Sequence, residues 1–208
     1  MKKPINLFKT LIIFSIVIFV SCASTELTNV HKAKEYTGGV LKNVMIVGVA
    51  NTPQEREMFE EHFAESFISR GVEAVASFAV LPKDEELKKD MIKNKAEELG
   101  IGAIFVTHLI GVEEKEIYYS PADTASPPSY YDNFGHYYNN AFWYHRYAGY
   151  YTTHEAVKLE SNLYETQTED LIWTAASETL DPKDAKQVIE SLSKKVMKNL
   201  RKNGLLAK

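Results

Sequence analysis

Histidines and carboxylates in the middle of the chain are the residues whose types could bind a metal. His136, His145 and His154 fall nine residues apart, with Asp132 and Glu155 nearby. Imidazole and carboxylate groups are ligands of Zn²⁺. Their spacing matches no metal-site pattern, however, and no His-x-x-x-His pair lies on a predicted helix. The sequence therefore predicts no metal, and it leaves a metal-dependent hydrolase that uses these loop histidines as an alternative.

Other catalytic patterns do not occur in the sequence. There is no Gly-x-Ser-x-Gly elbow, and residues 47–52 hold too few glycines to cradle a phosphate. The single cysteine, Cys22, belongs to the N-terminal signal described below. We therefore predict that the protein is not an enzyme and has no catalytic residue and no cofactor.

Several charged or polar residues have structural interpretations. His62 lies on the apolar face of a predicted helix and His108 lies within a predicted central strand, so both are expected to be packed core residues. An acidic stretch on the same helix is interpreted as a solvated face near the positive helix end; it comprises Glu55, Glu57, Glu60, Glu61 and Glu65.

Residues 118–151 form a tyrosine-rich segment whose composition is not explained by the requirements of folding. Ten of the twelve tyrosines lie there, with prolines near its start. Tyr and Trp dominate binding hot spots, and a loop of about 30 residues in a compact domain is usually functional or disordered. We predict a partner-contact surface. The alternative is an extension of the flanking strands whose rings pack on their own domain, or an excursion with no ligand. The candidate residues are Tyr137, Tyr138, Trp143, Tyr144, Tyr147 and Tyr150.

The N-terminus has the pattern of a bacterial lipoprotein. Residues 2–9 carry three lysines and no acid, and the apolar run Leu11–Val20 has the length of a signal-peptide core. It is shorter than a membrane-spanning helix requires. Ser21-Cys22 resembles a lipobox, so residues 1–21 are predicted to be a signal peptide and Cys22 the acylated (palmitate-type) N-terminus. Ala23 resembles the outer-membrane sorting pattern of Gram-negative bacteria.

The charge of the chain argues against nucleic acid as a partner. The formal net charge is −4. The signal segment carries three lysines and no acid, so its removal makes the charge −7. An acidic domain gains nothing from counterion release on a phosphate backbone.

The remaining chain divides into a tether and one domain. Residues 22–42 are predicted to be the lipidated N-terminus and a flexible tether, and residues 43–208 a single domain with the tyrosine-rich segment inserted. Apolar runs at 44–49, 72–80 and 103–112 predict strands. Thr52-Pro53 predicts the start of one helix, and Pro82 with Asp84 the start of another.

The end of the chain predicts a hairpin and a helix. Alternating residues at 157–164, a polar turn and the run 171–174 indicate two antiparallel strands. Asp181 is the predicted N-cap of a last helix. The fold class is therefore α/β: a mixed sheet of about five strands, with a parallel β-α-β-α-β half plus an antiparallel hairpin, and three helices.

The hairpin also carries a family resemblance. Residues 159–168 and the following Leu171-Ile172-Trp173-Thr174-Ala175 resemble the "L-Y-D-x-x-T-g-x-L-v-W-s" hairpin of Gram-negative, periplasm-facing lipoproteins with a domain of unknown function. Glu165 and Glu169 stand where Asp and Gly are usual. In fold these proteins are loosely similar to TolB N-terminal and curli-secretion lipoprotein domains. The resemblance implies a location and a fold, but no activity.

These features together predict an outer-membrane, lipid-anchored protein that faces the periplasm and acts as a non-catalytic binding or envelope-assembly module. Its expected partners are the lipid bilayer, through acylated Cys22, and an envelope protein or peptidoglycan at the tyrosine-rich segment. A structural subunit of a secretion or transport assembly is a further alternative.

Overall fold

The computed structural model describes residues 24–83, 87–119, 134–135, 138 and 149–207. The signal segment, Cys22 and most of the tyrosine-rich segment lie outside these residues. The described chain forms six strands and four helices: β1 (Ser24–Lys32), β2 (Asn43–Val49), α1 (Pro53–Ile68), β3 (Glu73–Ala76), α2 (Ser77–Val80), α3 (Lys89–Glu98), β4 (Ala103–Tyr119), β5 (Tyr150–Glu165), β6 (Leu171–Leu180) and α4 (Ala185–Lys202).

All six strands belong to one open mixed sheet. The strand order is β1-β6-β5-β4-β2-β3. β3, β2 and β4 are parallel, while β4, β5, β6 and β1 are antiparallel neighbours. The predicted mixed α/β sheet with a parallel half and a hairpin is confirmed. The sheet has one strand more, and the domain one helix more, than the sequence predicted.

The additional strand is β1, at the sheet edge. It pairs with β6 from Ser24 opposite Leu180 to Lys32 opposite Trp173. The buried Thr25 Oγ1 lies 2.7 Å from Thr179 Oγ1 and 2.6 Å from Ser191 Oγ. For residues 24–32 the structure corrects the prediction of a flexible tether. The first described residue, Ser24, is two residues after Cys22.

The main core lies between the sheet and two helices, α1 and α4. Thr52 caps α1 as predicted, accepting a hydrogen bond from the Glu55 amide at 3.2 Å. His62 is half-buried where α1 meets α4, with Nε2 3.2 Å from Ser193 Oγ. Fully buried rings and aliphatic side chains fill the interior, among them Phe63, Phe67, Phe105, Leu163, Trp173, Leu192 and Leu200. Burial of this apolar surface provides the main stabilisation of the fold.

An ion pair lies inside the domain where α1, α2 and β2 meet. Glu60 is 0% exposed, which corrects its assignment to a solvated face. Its Oε1 accepts hydrogen bonds from Arg56 Nε at 3.0 Å, Gly48 N at 2.9 Å and Ser77 Oγ at 2.7 Å. Its Oε2 accepts from Phe78 N at 2.5 Å. The carboxylate therefore joins three elements through a fully bonded buried charge.

α3 covers a smaller part of the opposite sheet face. It begins at Lys89, later than Pro82 and Asp84 predicted, and Leu99 at its end is exposed. Beyond α3, no other helix among the described residues covers this face. His108 lies on this part of the face with its side chain half exposed, 3.8 Å from Glu160, so the prediction that it is a core residue is wrong.

The last helix, α4, begins later than predicted. Its N-cap is Asp184, whose Oδ1 accepts from the Gln187 amide at 2.8 Å, and not Asp181. It ends at Asn203-Gly204 as predicted, with Gly204 at a φ of 72°. In the part of the chain that the structure describes, neither α4 nor another helix is long and apolar enough to cross a membrane.

Candidate partner-contact site

Strands β4 and β5 extend past the rest of the sheet as a two-stranded arm. At the end of β6, Leu180 pairs with Ala156, which pairs with Glu113. Beyond this row β4 and β5 pair with each other as far as Tyr119 opposite Tyr150. We call residues 114–119 and 150–155 the arm. At the usual rise per residue its six rows extend about 20 Å from the sheet.

The last two described rows of the arm, which we call the arm tip, carry four tyrosines in two cross-strand pairs. Apart from residues 134–135 and 138, the chain that connects the two strands, residues 120–148, lies outside the described residues. The ring centroids of Tyr118 and Tyr151 are 5.0 Å apart, and those of Tyr119 and Tyr150 are 5.4 Å apart and stacked. Adjacent residues of a strand point to opposite faces, so each face of the arm carries one pair. Tyr151 is 67% exposed, Tyr150 59% and Tyr118 49%. The tip is therefore aromatic on both faces and is not packed into the domain core.

The sequence of the arm favours an extended ribbon. Ile, Tyr and Thr are strong strand formers, and the two tyrosine pairs are the kind of cross-strand contact that stabilises a hairpin. A register shift between Leu109 and Gly111 marks a bulge just before the arm. Such a bulge bends the strand and increases its twist. Charged residues occupy the base of the arm, at Glu114, Lys115 and Glu116, and the tip rows are uncharged.

A hydrogen-bonded set of side chains holds the arm where it leaves the sheet. His154 Nδ1 contacts Asp181 Oδ2, and His154 Nε2 lies 2.7 Å from Thr152 Oγ1. Asp181 Oδ1 also accepts from the Glu155 amide at 2.9 Å, and the Asp181 amide donates to the Glu155 carbonyl at 2.8 Å. We call His154, Asp181 and Thr152 the arm clip. It fixes the turn after β6 to the first row of the arm.

The arm clip is expected to weaken in acid. The hydrogen bond to His154, followed by that to the Glu155 amide, lowers the pKa of Asp181 below its usual 3.8. A carboxyl with a lowered folded-state pKa stabilises the fold above its unfolded pKa, and this contribution is lost as the pH falls through the folded pKa. Asp181→Asn should therefore lower the urea midpoint at pH 6, and lower it by less at about pH 3, which is below the unfolded pKa. Equal differences at both pH values would contradict this.

A crevice lies beside the arm base, where β2 ends. It has a volume of about 360 Å³ and separates the first turns of α1 and α4. Ligands of open α/β sheets commonly bind at this edge. Exposed apolar side chains form part of its lining, and polar groups stand at its rim; the lining includes Val49, Leu109, Val112, Asn51, Glu155 and Lys183. Sequence reasoning missed the crevice because its walls come from five separate elements, β2, α1, β4, β5 and α4.

The structure places two of the six predicted contact residues. Tyr150 is at the arm tip, and Tyr138 is exposed with its ring 5.8 Å from that of Phe134. The other four, Tyr137, Trp143, Tyr144 and Tyr147, lie outside the described residues, as does Cys22. The tip tyrosines at 118, 119 and 151 were not among the candidates. The signal that could have found them is a short run of strand-forming residues at each end of the segment, at 117–119 and 150–153.

Of the three histidines considered for a metal, the structure describes His154. Its ring nitrogens face Asp181 and Thr152 in the arm clip. His136 and His145 lie outside the described residues. Among the described residues, no three His, Cys, Asp or Glu side chains are grouped so that they could hold a metal ion.

Comparison with known proteins gives likenesses of fold alone. No protein-family model matches the chain, and no curated protein matches it. A PelC dodecamer from Paraburkholderia phytofirmans is 11% identical, with a TM-score of 0.45, over 89% of this chain and 99% of that one. Lipoprotein GNA1162 from Neisseria meningitidis is 9% identical, with a TM-score of 0.40, over 77% and 99%. A putative neuraminyllactose-binding hemagglutinin homolog from Helicobacter pylori is 16% identical, with a TM-score of 0.34, over 80% and 86%. We draw no conclusion about function from likenesses at this level.

Proposed function

We propose that this protein is a lipid-anchored, envelope-facing lipoprotein that acts as a non-catalytic binding module, with the arm tip as its contact surface. The observation that carries the proposal is the exposure of the tyrosines on both faces of the arm. Large aromatic side chains that remain outside a core are the commonest anchors of binding surfaces.

The N-terminal sequence supports the anchor. A basic segment, an apolar run and a single cysteine follow each other in the order that a lipoprotein signal requires. In an outer-membrane lipoprotein that faces the periplasm, the arm would meet an envelope component. The components within reach are an envelope protein, peptidoglycan and the membrane itself.

The first experiment tests contact at the arm tip in intact cells. A photo-crosslinking residue is introduced at Tyr151 of the full-length chain, and the membrane fraction is examined for adducts after irradiation. We expect adducts from position 151. Replacing the other three tip tyrosines, Tyr118, Tyr119 and Tyr150, by serine should reduce their yield about tenfold or more, since loss of a hot-spot anchor costs at least about 2 kcal/mol. Tyr164→Ser, a tyrosine on the sheet outside the arm, is the matched control.

Stability and anchoring are measured on the same variants. The tip substitutions should change the free energy of unfolding by no more than about 2 kcal/mol, because they remove two cross-strand pairs and each is worth up to about 1 kcal/mol. A larger loss would show that the rings are part of the core. Cys22→Ser should release the protein from the membrane fraction. Retention of the Cys22→Ser protein, or a folded protein with no adducts from position 151, would contradict the proposed function.

A further inference from the structure

We propose that a groove between α3 and the end of β5 binds a small uncharged amphiphile, meaning an apolar ring or chain that carries one hydrogen-bonding group. The groove lies at the end of the sheet opposite the arm, beside the first residues of β4. This second site is separate from the arm tip, and it depends neither on that surface nor on the lipid anchor.

The walls of the groove are mostly apolar. Ile104 and Val106 of β4 are half-buried and pack against the core cluster beneath α3. Tyr164 stands opposite Ile104 on β5 and continues the wall. Leu87 completes the lining before α3, and residues 84–86 in front of it lie outside the described residues. The groove has a volume of about 400 Å³, which is within the range of about 300–1,000 Å³ that is usual for small-molecule sites.

A buried hydroxyl in this lining has no partner. The Thr166 amide donates to the Gly102 carbonyl at 3.0 Å and so continues the β4–β5 ladder past the end of β5. Thr166 is two residues after Tyr164, on the same side of the sheet. It lines the groove and is 1% exposed. In the part of the chain that the structure describes, its Oγ1 is the only buried side-chain oxygen or nitrogen atom without a hydrogen-bond partner.

This hydroxyl indicates what the ligand must supply. Nearly all buried polar groups in proteins are hydrogen-bonded, because burial without a partner is costly. An apolar ligand that fills the groove and carries a hydroxyl or carbonyl oxygen would give Thr166 Oγ1 the partner that it lacks. Binding sites of this size are typically apolar with a few polar groups that fix the orientation of the ligand.

The charges at the rim favour an uncharged ligand. Lys89 Nζ contacts Glu169 Oε2, and Lys93 Nζ lies 2.8 Å from Glu169 Oε1. The other charged residue of the lining, Glu165, accepts from Thr168 Oγ1 at 2.7 Å. The two lysines and two glutamates carry no net charge, and an ionised ligand would have to compete with these pairs. Exposed ion pairs are weak, so the long rim side chains can move aside when an uncharged ligand enters.

The experiment compares two probes that differ by one hydroxyl group, para-fluorobenzyl alcohol and para-fluorotoluene. Each is titrated into the full-length protein as it is purified from cells, held in lipid nanodiscs where it is membrane-bound, and fluorine NMR measures the bound fraction. Empty nanodiscs correct for partition into lipid. Thr166→Val removes the unpartnered hydroxyl and keeps the shape of the side chain. Thr168→Val, in the same turn but exposed and hydrogen-bonded, is the matched control. Val106→Trp fills the groove.

We expect the wild-type protein to bind the alcohol more tightly than fluorotoluene. Thr166→Val should weaken binding of the alcohol about fivefold, the equivalent of one hydrogen bond, and leave fluorotoluene unchanged. The same substitution should raise the urea midpoint of the free protein, because it removes a buried group without a partner. Thr168→Val should change the binding of neither probe, and Val106→Trp should abolish the binding of both.

Three results would overturn the inference. The first is a folded wild-type protein that binds neither probe. The second is an equal effect of Thr166→Val on both probes, which would show that the hydroxyl does not contact the ligand. The third is a lower urea midpoint for Thr166→Val, which would show that the hydroxyl already has a stabilising partner in the free protein. Binding that survives Val106→Trp would place the probes outside the groove and would also contradict the inference.

Discussion

Replacement of Arg56 by methionine is expected to lower the free energy of unfolding by about 3–5 kcal/mol. Arg56 is buried and bonds Glu60 through Nε, while its guanidinium also donates to Ser77 Oγ at 3.0 Å and to the Pro82 carbonyl at 3.3 Å. Without this cation the Glu60 carboxylate remains buried and loses its only charged partner among the described residues. The loss can be measured by urea denaturation at neutral pH.

Two further variants separate the buried charge from the change in shape. Arg201→Met makes the same substitution on an exposed part of α4 and should cost less than about 0.5 kcal/mol. Combining Arg56→Met with Glu60→Gln should recover part of the loss, because the neutral amide oxygen can still accept from Gly48 N. A loss of less than about 1 kcal/mol for Arg56→Met would show that the buried Arg56–Glu60 ion pair contributes less to the free energy of unfolding than its burial implies.

A second large loss of stability, about 3–5 kcal/mol, is expected for Trp173→Ala. Trp173 is fully buried in the main core, on β6. Its Nε1 donates to Asn199 Oδ1 at 3.0 Å and so ties β6 to α4. The variant loses the apolar contacts of the ring and leaves a cavity between the sheet and α4. Thermal or urea unfolding of the purified variant measures the effect.

Trp173→Phe separates packing from hydrogen bonding at the same position. It keeps most of the apolar ring, and Asn199 Oδ1 retains a hydrogen bond from Asn203 Nδ2 at 2.7 Å. We expect a loss of about 1–2 kcal/mol, from a smaller cavity and one lost hydrogen bond. Equal losses for the Ala and Phe variants would mean that the hydrogen bond, and not the ring volume, dominates the contribution of Trp173.

The parts of the fold with a strong apolar period were predictable from the sequence. The run at 44–49, the Thr52 cap and the alternation at 157–164 led to β2, α1 and β5 because each local pattern agrees with the final packing. β1 was not predictable in this way. It is an edge strand whose sequence is mostly polar, and its burial depends on hydroxyls of β6 and α4 that are remote in the sequence.

Polar residues whose environment comes from tertiary contacts were the main source of error. Glu60 lies in a run of glutamates on α1, and nothing local distinguishes it from its exposed neighbours; its burial comes from α2 and β2. His108 follows an apolar run, but α3 is too short to cover its face of the sheet. Asp181 has a residue type that is common at helix N-caps, but its carboxylate accepts a hydrogen bond from the Glu155 amide in the arm.

The candidate site was predictable in composition, and the extension of the flanking strands was one of two alternatives for its shape; the strand register was not predictable. The tyrosine count directed attention to residues 118–151, whereas the structure shows that the ends of this segment continue β4 and β5 as a ribbon. The same amino-acid composition is compatible with a loop and with a paired ribbon. They differ in which residues stand opposite one another, and strand register is a long-range property that composition does not contain.

The entry of the chain into β1 also determines how the domain would respond to mechanical load. With the chain held at Cys22 and the rest of the domain drawn away from the membrane, tension enters at Ser24 along the axis of β1. The rungs that join β1 to β6, from Ser24–Leu180 to Lys32–Trp173, then lie across the direction of pull. They are loaded together in shear, rather than opened one after another as when a strand is peeled from its end. An edge strand attached in this way would be a strong mechanical link between the proposed lipid anchor and the domain.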